Sequence, residues 1–374
     1  MRRVQGPIAA AILWTWCGAV QAGYIITDLG VLPGGVSSTA YGINDAGAVV
    51  GSTSFSGGAG QRAFVYAGGV MNDLGTLPGD TSSVAIDIND AGQVVGVSSN
   101  GSVASAFLYT PGSGFTNLGA LPGGATSRAE GINDAGQVVG GATTGSAQHA
   151  FLYSGGVMTD LGTLPGDVSS VANDINDAGQ IVGASTGSST HAFLYSSGTG
   201  MMDLGTLTGS GVSVANALNN AGDVVGYSSS ASGPAHAFLY SGGVMTDLGT
   251  LAGGTASLAW DINASGDIVG YSVGGGGSRA FLYTGGVMTD LNDLLAPSSG
   301  WTLNEARAIN SSGQIVGTGV YNGQTHAFLL TPEAIVVPEP SSLALMGLGM
   351  AGVAGQRLRR RLRRRSSENR QTGT

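Results

Sequence analysis

The sequence predicts an all-β protein, a seven-bladed β-propeller of repeats of about 44 residues closed by its own N-terminal strand, with an N-terminal signal helix and a C-terminal membrane helix outside the ring. Three observations predict it. Three short motifs recur seven times each in a fixed order; the segments between turn signals have strand length; and the first and last repeats are incomplete in complementary ways.

The first motif is Asp-Leu-Gly, beginning at Asp28, Asp73, Asn117 (as Asn-Leu-Gly), Asp160, Asp203, Asp247 and, as Asp-Leu-Asn, at Asp290. Successive spacings are 45, 44, 43, 43, 44 and 43. The second, Ile-Asn-Asp-Ala-Gly-x-Val-Val-Gly or a close variant, starts at Ile43, Ile88, Ile132, Ile175, Leu218, Ile262 and Ile309. The third, Ala-Phe-Leu-Tyr or a variant, places phenylalanine at Phe64, Phe107, Phe151, Phe193, Phe238, Phe281 and Phe328. A period near 44 with only β-type segments is that of a four-stranded propeller blade.

In the second repeat the strands read as Ser82 to Ile88, Gln93 to Ser98, Ser105 to Thr110 and Phe115 to Leu121. Asn89-Asp90-Ala91-Gly92 and Pro111-Gly112-Ser113-Gly114 are turn sequences, since Asn and Asp bond their own backbone and Gly accepts positive φ. Ala-Phe-Leu-Tyr is apolar on both faces of a strand, so both faces need cover. Blades stacked around an axis cover each other.

The ends argue for closure. The repeats begin at Tyr24 to Gly30, a fourth strand without its first three, and finish at Phe328 to Leu330, a third strand without its fourth. Pairing them removes two open sheet edges, which otherwise attract adventitious partners. An open solenoid would show polar caps instead.

Composition bounds function. The chain has 67 glycines, 42% hydrophobic and 10% charged residues, enough apolar material for a core and no lysine at all. Residues 24–333 hold four arginines (Arg62, Arg128, Arg279, Arg307) against 18 Asp and three Glu, a formal charge of −17. That balance argues against nucleic acid, which is held through phosphate neutralisation by basic side chains. The single cysteine, Cys17, falls in the leader, which suits an oxidising or extracellular setting.

Residues 1–22 read as a signal peptide: Arg2 and Arg3, an apolar stretch from Ile8 to Val20, and small residues before a cut between Ala22 and Gly23. Residues 24–333 are the propeller, 337–365 a second address, and 366–374 a disordered tail. The second address runs Val337-Pro338-Glu339-Pro340, then an apolar segment from Ser341 to Gly355, then a basic cluster of Arg357, Arg359, Arg360, Arg361, Arg363, Arg364 and Arg365. Fifteen helical residues reach only about 22 Å, a marginal membrane span unless arginines snorkel. Arginine dense after an apolar run stays on the cytoplasmic side as an anchor, which places the body outside.

This three-part tail resembles the PEP-CTERM sorting signal of Gram-negative bacteria. The resemblance implies an exosortase-type processing enzyme as a partner, transient membrane attachment through the C-terminal helix, and delivery to the cell surface or extracellular matrix. The repeats resemble the HAF family of extracellular bacterial proteins, on His149-Ala150-Phe151, His191-Ala192-Phe193, His236-Ala237-Phe238 and His326-Ala327-Phe328. Arg62, Ser105 and Arg279 replace the histidine in three units.

Every histidine occupies that one repeat position, so none is singled out as a base or ligand, and a structural role is expected. Asp87-Ile88-Asn89-Asp90-Ala91-Gly92 and Asp174-Ile175-Asn176-Asp177-Ala178-Gly179 start like an EF-hand loop, but alanine stands at position five and Ser98 and Ser185 at position twelve. Turn chemistry accounts for them, and an unspecialised calcium site in a surface loop stays open. The last unit carries a four-residue insertion with Trp301, and Trp260 stands where small or aliphatic residues are expected in the other units; exposed aromatics could stack on sugar rings, but packing is the expected role of both tryptophans. No catalytic, cofactor or metal residue is assigned. The expected function is a non-enzymatic surface or matrix module that binds exopolysaccharide, a matrix protein or itself through variable rim loops. The alternative is a secreted hydrolase or lyase acting on polysaccharide with carboxylates near the central channel.

Overall fold

The computed structural model describes residues 23–333 apart from 59, 146, 231 and 232; the predicted signal helix, the C-terminal membrane helix and the arginine cluster lie outside the described residues. Those described residues form seven antiparallel four-stranded sheets. Six are consecutive in the chain, with the second blade built from Ser82–Ile88, Val94–Ser99, Ala104–Thr110 and Gly114–Gly119. The predicted boundaries hold to within two residues. The outer strand stops earlier than expected because the Asn117 side chain accepts from the Gly119 N–H at 2.8 Å and Gly119 turns to φ 78°, which bends the chain out of the ladder.

The seventh blade is made from both ends of the body. Tyr24–Gly30 pairs antiparallel with Gln324–Pro332, with Ile26 opposite Leu330 and Asp28 opposite Phe328, and completes the sheet begun by Trp301–Ile309 and Ile315–Tyr321. Gly23, on the mature side of the predicted cut, accepts at its carbonyl from the Glu333 N–H at 2.9 Å. The first strand of each blade touches the first strands of both neighbours all the way around, so these seven strands line a central channel.

Each of the seven apolar clusters sits between two neighbouring blades. The seven repeat phenylalanines are fully buried there. Burying one such ring relative to leaving it in water is worth roughly 1.5–3 kcal/mol, so the interfaces rather than the individual sheets hold the ring.

Polar groups add a second fastening that also repeats with the chain. The amide of Asn44 donates to the Asn89 carbonyl, Asn89 to Asn133, and so on around to Asn310, which donates to the Asn44 carbonyl at 3.0 Å. Seven buried side chains thus form one closed belt. In six blades a serine of the inner strand (Ser170, for example) accepts from the alanine N–H before the phenylalanine of the preceding blade and donates to a glycine carbonyl of that blade. At the last junction Asn292, which stands at the motif's glycine position, substitutes by exchanging hydrogen bonds with the Leu303 backbone at 2.7 and 3.0 Å. The longer connection of this unit opens with a 3-10 turn, Leu291–Leu294, capped by Asp290.

Candidate functional site

The inner strand of every blade carries a β-bulge at the same place, between Ala40 and Gly42 in the first and between Ala306 and Ala308 in the last. A bulge leaves one residue unpaired and re-aims its side chain. Here the unpaired residues are Tyr41, Ile86, Glu130, Asn173, Asn216, Trp260 and Arg307, all half-buried and all lining one hollow of about 350 Å³ within the ring. Seven units that agree almost everywhere carry a phenol, an alkyl chain, an acid, two amides, an indole and a guanidinium at this one equivalent position. Trp260 is therefore not an outlier among small residues, as its sequence context suggested. Trp301 does pack, stacked on Tyr321 at 4.9 Å and set edge-on to Phe328.

One sector of the hollow is an aromatic and cationic wall. The guanidinium of Arg307 lies 4.4 Å from the centre of the Trp260 ring and 5.6 Å from that of Tyr41. Glu305 braces it, accepting from Trp260 Nε1 at 2.8 Å and pairing with Arg307 Nη2 at 2.9 Å. Across the ring, Asn173 and Asn216 each donate from Nδ2 to a backbone carbonyl of the next blade, Ala215 at 2.8 Å and Ala259 at 2.7 Å. Those bonds fix the amide orientation. Arg128 and Glu130 form a further pair at 2.6 Å, and burial raises the Glu130 carboxyl while Arg128 opposes the rise.

The residue after the bulge alternates in kind: Gly42, Asp87, Gly131, Asp174, Ala217, Asp261 and Ala308. Each of the three aspartates accepts two backbone N–H groups, one from its own chain neighbour and one from the following blade: Asp87 from Ile88 and Ile132, Asp174 from Ile175 and Leu218, Asp261 from Ile262 and Ile309. They retain some surface toward the hollow, yet the wall shields them from bulk water, and the shielding governs their charge. Loss of hydration pushes Asp87 up to about 7 and Asp261 up to about 6, and holds Asp174 well above the usual carboxylate range; their backbone donors pull the other way, and Asp261 beside Asp87, like Asp87 and Asp261 beside Asp174, adds to the rise.

These shifts set a pH dependence with a definite sign. An unfolded aspartate titrates near 3.9, so in the interval above that value the folded chain binds more protons than the unfolded one. The stabilisation is complete below about 4 and is lost as pH rises through 6 and 7. Thermal unfolding is expected at a midpoint several degrees lower at pH 8 than at pH 5.5, and Asp87→Asn should flatten that slope. A midpoint that climbs with pH over this interval contradicts the assignment.

An aliphatic collar, Ile43 through Ile309 at the motif's first position, separates this hollow from the shallower mouth at the Asn-Asp-Ala-Gly turns. There Asp90, Asp134 and Asp177 each accept from the backbone N–H of the preceding blade's equivalent residue, at 2.9 to 3.0 Å. Turn formation, which the sequence suggested, is thus half of their role; the other half is joining blades. Among the described residues no group of three or more His, Cys, Asp or Glu is arranged to hold a metal ion.

The histidines lie elsewhere. His149, His191, His236 and His326 each pair through Nδ1 with the aspartate of the Asp-Leu-Gly motif in their own blade, at 2.8 to 2.9 Å. Arg62 and Arg279 pair with Asp73 and Asp290 in the same way. In the second unit both equivalent positions are uncharged, Ser105 and Asn117, so that blade has no such ion pair. Surface pairs of this kind contribute little to stability, about 0–1 kcal/mol.

A family model for the PEP-CTERM protein-sorting motif matches residues 336–361, which include Val337, Pro338, Glu339, Pro340 and the arginines from Arg357 to Arg361. The motif implies processing by an exosortase-type enzyme, with export and sorting to the cell surface. This match lies outside the repeats, and the expected membership of the repeats in the HAF family is not supported by it. No curated protein matches the chain. Among solved structures the chain is similar to TolB from Acinetobacter baumannii (10% identity, TM-score 0.44, covering 80% of this chain and 64% of that one). It is also similar to a dipeptidyl peptidase 4 from Porphyromonas gingivalis (9%, TM-score 0.41, 71% and 48%) and a gluconolactonase from Xanthomonas campestris (11%, TM-score 0.42, 83% and 90%). The chain thus spans less than two thirds of the first two. No helix among the described residues is long and apolar enough to cross a membrane.

Proposed function

We propose that this chain is an exported, exosortase-sorted surface or matrix protein whose propeller is a non-catalytic binding module, with the hollow inside the ring as its ligand site. One observation carries the reading: the seven units diverge in chemistry at the side chain that a conserved bulge turns into the channel. A purely structural ring has no need for that divergence. The rim loops favoured by the sequence vary in length, but the channel position varies in kind.

The alternative, a hydrolase or lyase, draws on Asp87, Asp174 and Asp261, whose raised protonation suits a general acid. Against it, each carboxylate already accepts two backbone N–H groups that join adjacent blades, a fastening role that leaves catalysis no unengaged base. The four histidines are tied to aspartates in separate blades.

Co-sedimentation of the exported protein with purified exopolysaccharide of its host, read alongside an assay for new reducing ends or unsaturated sugars, separates the two. Retention without turnover is expected. Steady release of chain ends that stops in Asp87→Asn would replace the binding module with an enzyme.

A further inference from the structure

The balance of hydrogen-bonding groups in the hollow identifies the kind of ligand it takes. Some of its donors are engaged: Trp260 Nε1 and Arg307 Nη2 on Glu305, Arg128 Nε on Glu130, and one amide hydrogen each of Asn173 and Asn216 on neighbouring backbone; Arg307 Nε, by contrast, is buried with no hydrogen-bond partner, and each amide keeps a second N–H. Acceptors are open as well. The amide oxygens of Asn173 and Asn216 take no part in those backbone bonds, and the second oxygen of Glu130 lies beside the one that Arg128 occupies. A ligand seated here is best matched by groups that both donate and accept.

Charge narrows the choice. Both guanidiniums are already paired, Arg128 with Glu130 and Arg307 with Glu305, and burial favours the protonated form of the three aspartates, so an acidic ligand finds no unpaired positive charge. A cationic ligand would be drawn to aromatic faces in other settings, but here Arg307 already stands over Trp260 and Tyr41, and a second cation at that wall meets its charge. Hydroxyl groups satisfy both conditions: they donate and accept without charge. The partly exposed Trp260 and Tyr41 rings supply apolar surface for C–H faces, and a hollow of about 350 Å³ falls in the range of small-molecule sites.

We propose that the channel hollow is a binding site for an uncharged, hydroxyl-rich pyranose unit, packed against Trp260 and Tyr41 and hydrogen-bonded to the oxygens of Asn173, Asn216 and Glu130. The proposal rests on the binding-module reading and deepens it by naming the site and the sugar class.

The test is isothermal titration of the full exported protein with three matched series: neutral hexose oligosaccharides of several linkages, oligomers of uronic acids, and oligomers of glucosamine. The free monosaccharides, run in parallel, distinguish recognition of a single sugar from that of a chain end. Binding is expected in the neutral series, weakened about tenfold or more by Trp260→Ala and by Tyr41→Ala, and unchanged in His191→Ala, which lies outside the channel. Melting midpoints of the free variants guard against misfolding, and Trp260→Phe, which retains the ring, should fall between. Preference for uronates or glucosamine overturns the neutral-sugar assignment. Neutral sugars bound equally by parent and both channel variants overturn the channel site while leaving a binding module in place, whereas turnover of any series overturns the module itself.

Discussion

Deleting residues 23–30 is expected to leave the protein unfolded or aggregated at 37 °C, with the melting midpoint of any folded remainder lowered by roughly 10–15 °C. The segment supplies the whole outer strand of the seventh blade, buries Leu29, and packs Tyr24 and Ile26 against the cluster between the last two blades. At roughly 1.5–3 kcal/mol for each apolar side chain, the loss is on the order of 6 kcal/mol, comparable with the entire margin of a typical domain, and each kcal/mol corresponds to about 2 °C in a chain of this size. It also exposes the edge of Gln324–Pro332, an invitation to pair with a second molecule. Differential scanning calorimetry and light scattering report both outcomes. A truncated protein that melts within a degree or two of the parent would mean that the ring does not depend on its clasp.

Gly183→Ala should come next in severity, at about 3 kcal/mol. The glycine of the Val-Val-Gly motif faces the bulge of the inner strand, and a Cβ there would sit well inside 3.0 Å of the Val171 carbonyl oxygen and within 2.9 Å of the Ala172 Cα. Backbone cannot yield as a side chain can. The equivalent glycines, Gly51, Gly96, Gly140, Gly226, Gly270 and Gly317, meet the same carbonyl in their own blades. Gly198, in an exposed turn with open space around its Cβ and no positive φ, serves as the matched control, and Gly198→Ala should change stability by only a few tenths of a kcal/mol. Urea unfolding of the two variants measures the contrast. Equal midpoints would show that the bulge relaxes freely.

These two cases also show where the sequence is legible. Repetition disclosed the ring and its closing strand because a physical demand that recurs seven times writes the same residues seven times. Phenylalanine at the blade interface, glycine beneath the bulge and asparagine in the belt are such demands. The belt's purpose was not readable, however: Asn44 and its equivalents look like ordinary turn residues, and their hold on the next blade appears only when strands 44 residues apart lie side by side.

The candidate site was hidden for the opposite reason. A site built from one different side chain per unit leaves no motif, and Tyr41, Glu130, Trp260 and Arg307 read singly as noise in a repeat. Aligning the units on their bulges, one residue before the Gly, Asp or Ala that precedes the motif's aliphatic residue, is what gathers them. The joint loss of charge at Ser105 and Asn117 was within reach of the same alignment.

The clasp has a further bearing on how this protein is made. Its two halves are separated by almost the full length of the body, so in a chain delivered N-terminus first through an export pore the other six blades can form while Tyr24–Gly30 still lacks a mate. Such distant pairing is slow to form, and here it cannot begin before Gln324–Pro332 has been delivered. The sorting motif starts at residue 336, so the last act of folding falls to the residues that leave the pore just ahead of the address label, and assembly and despatch become neighbouring events in time.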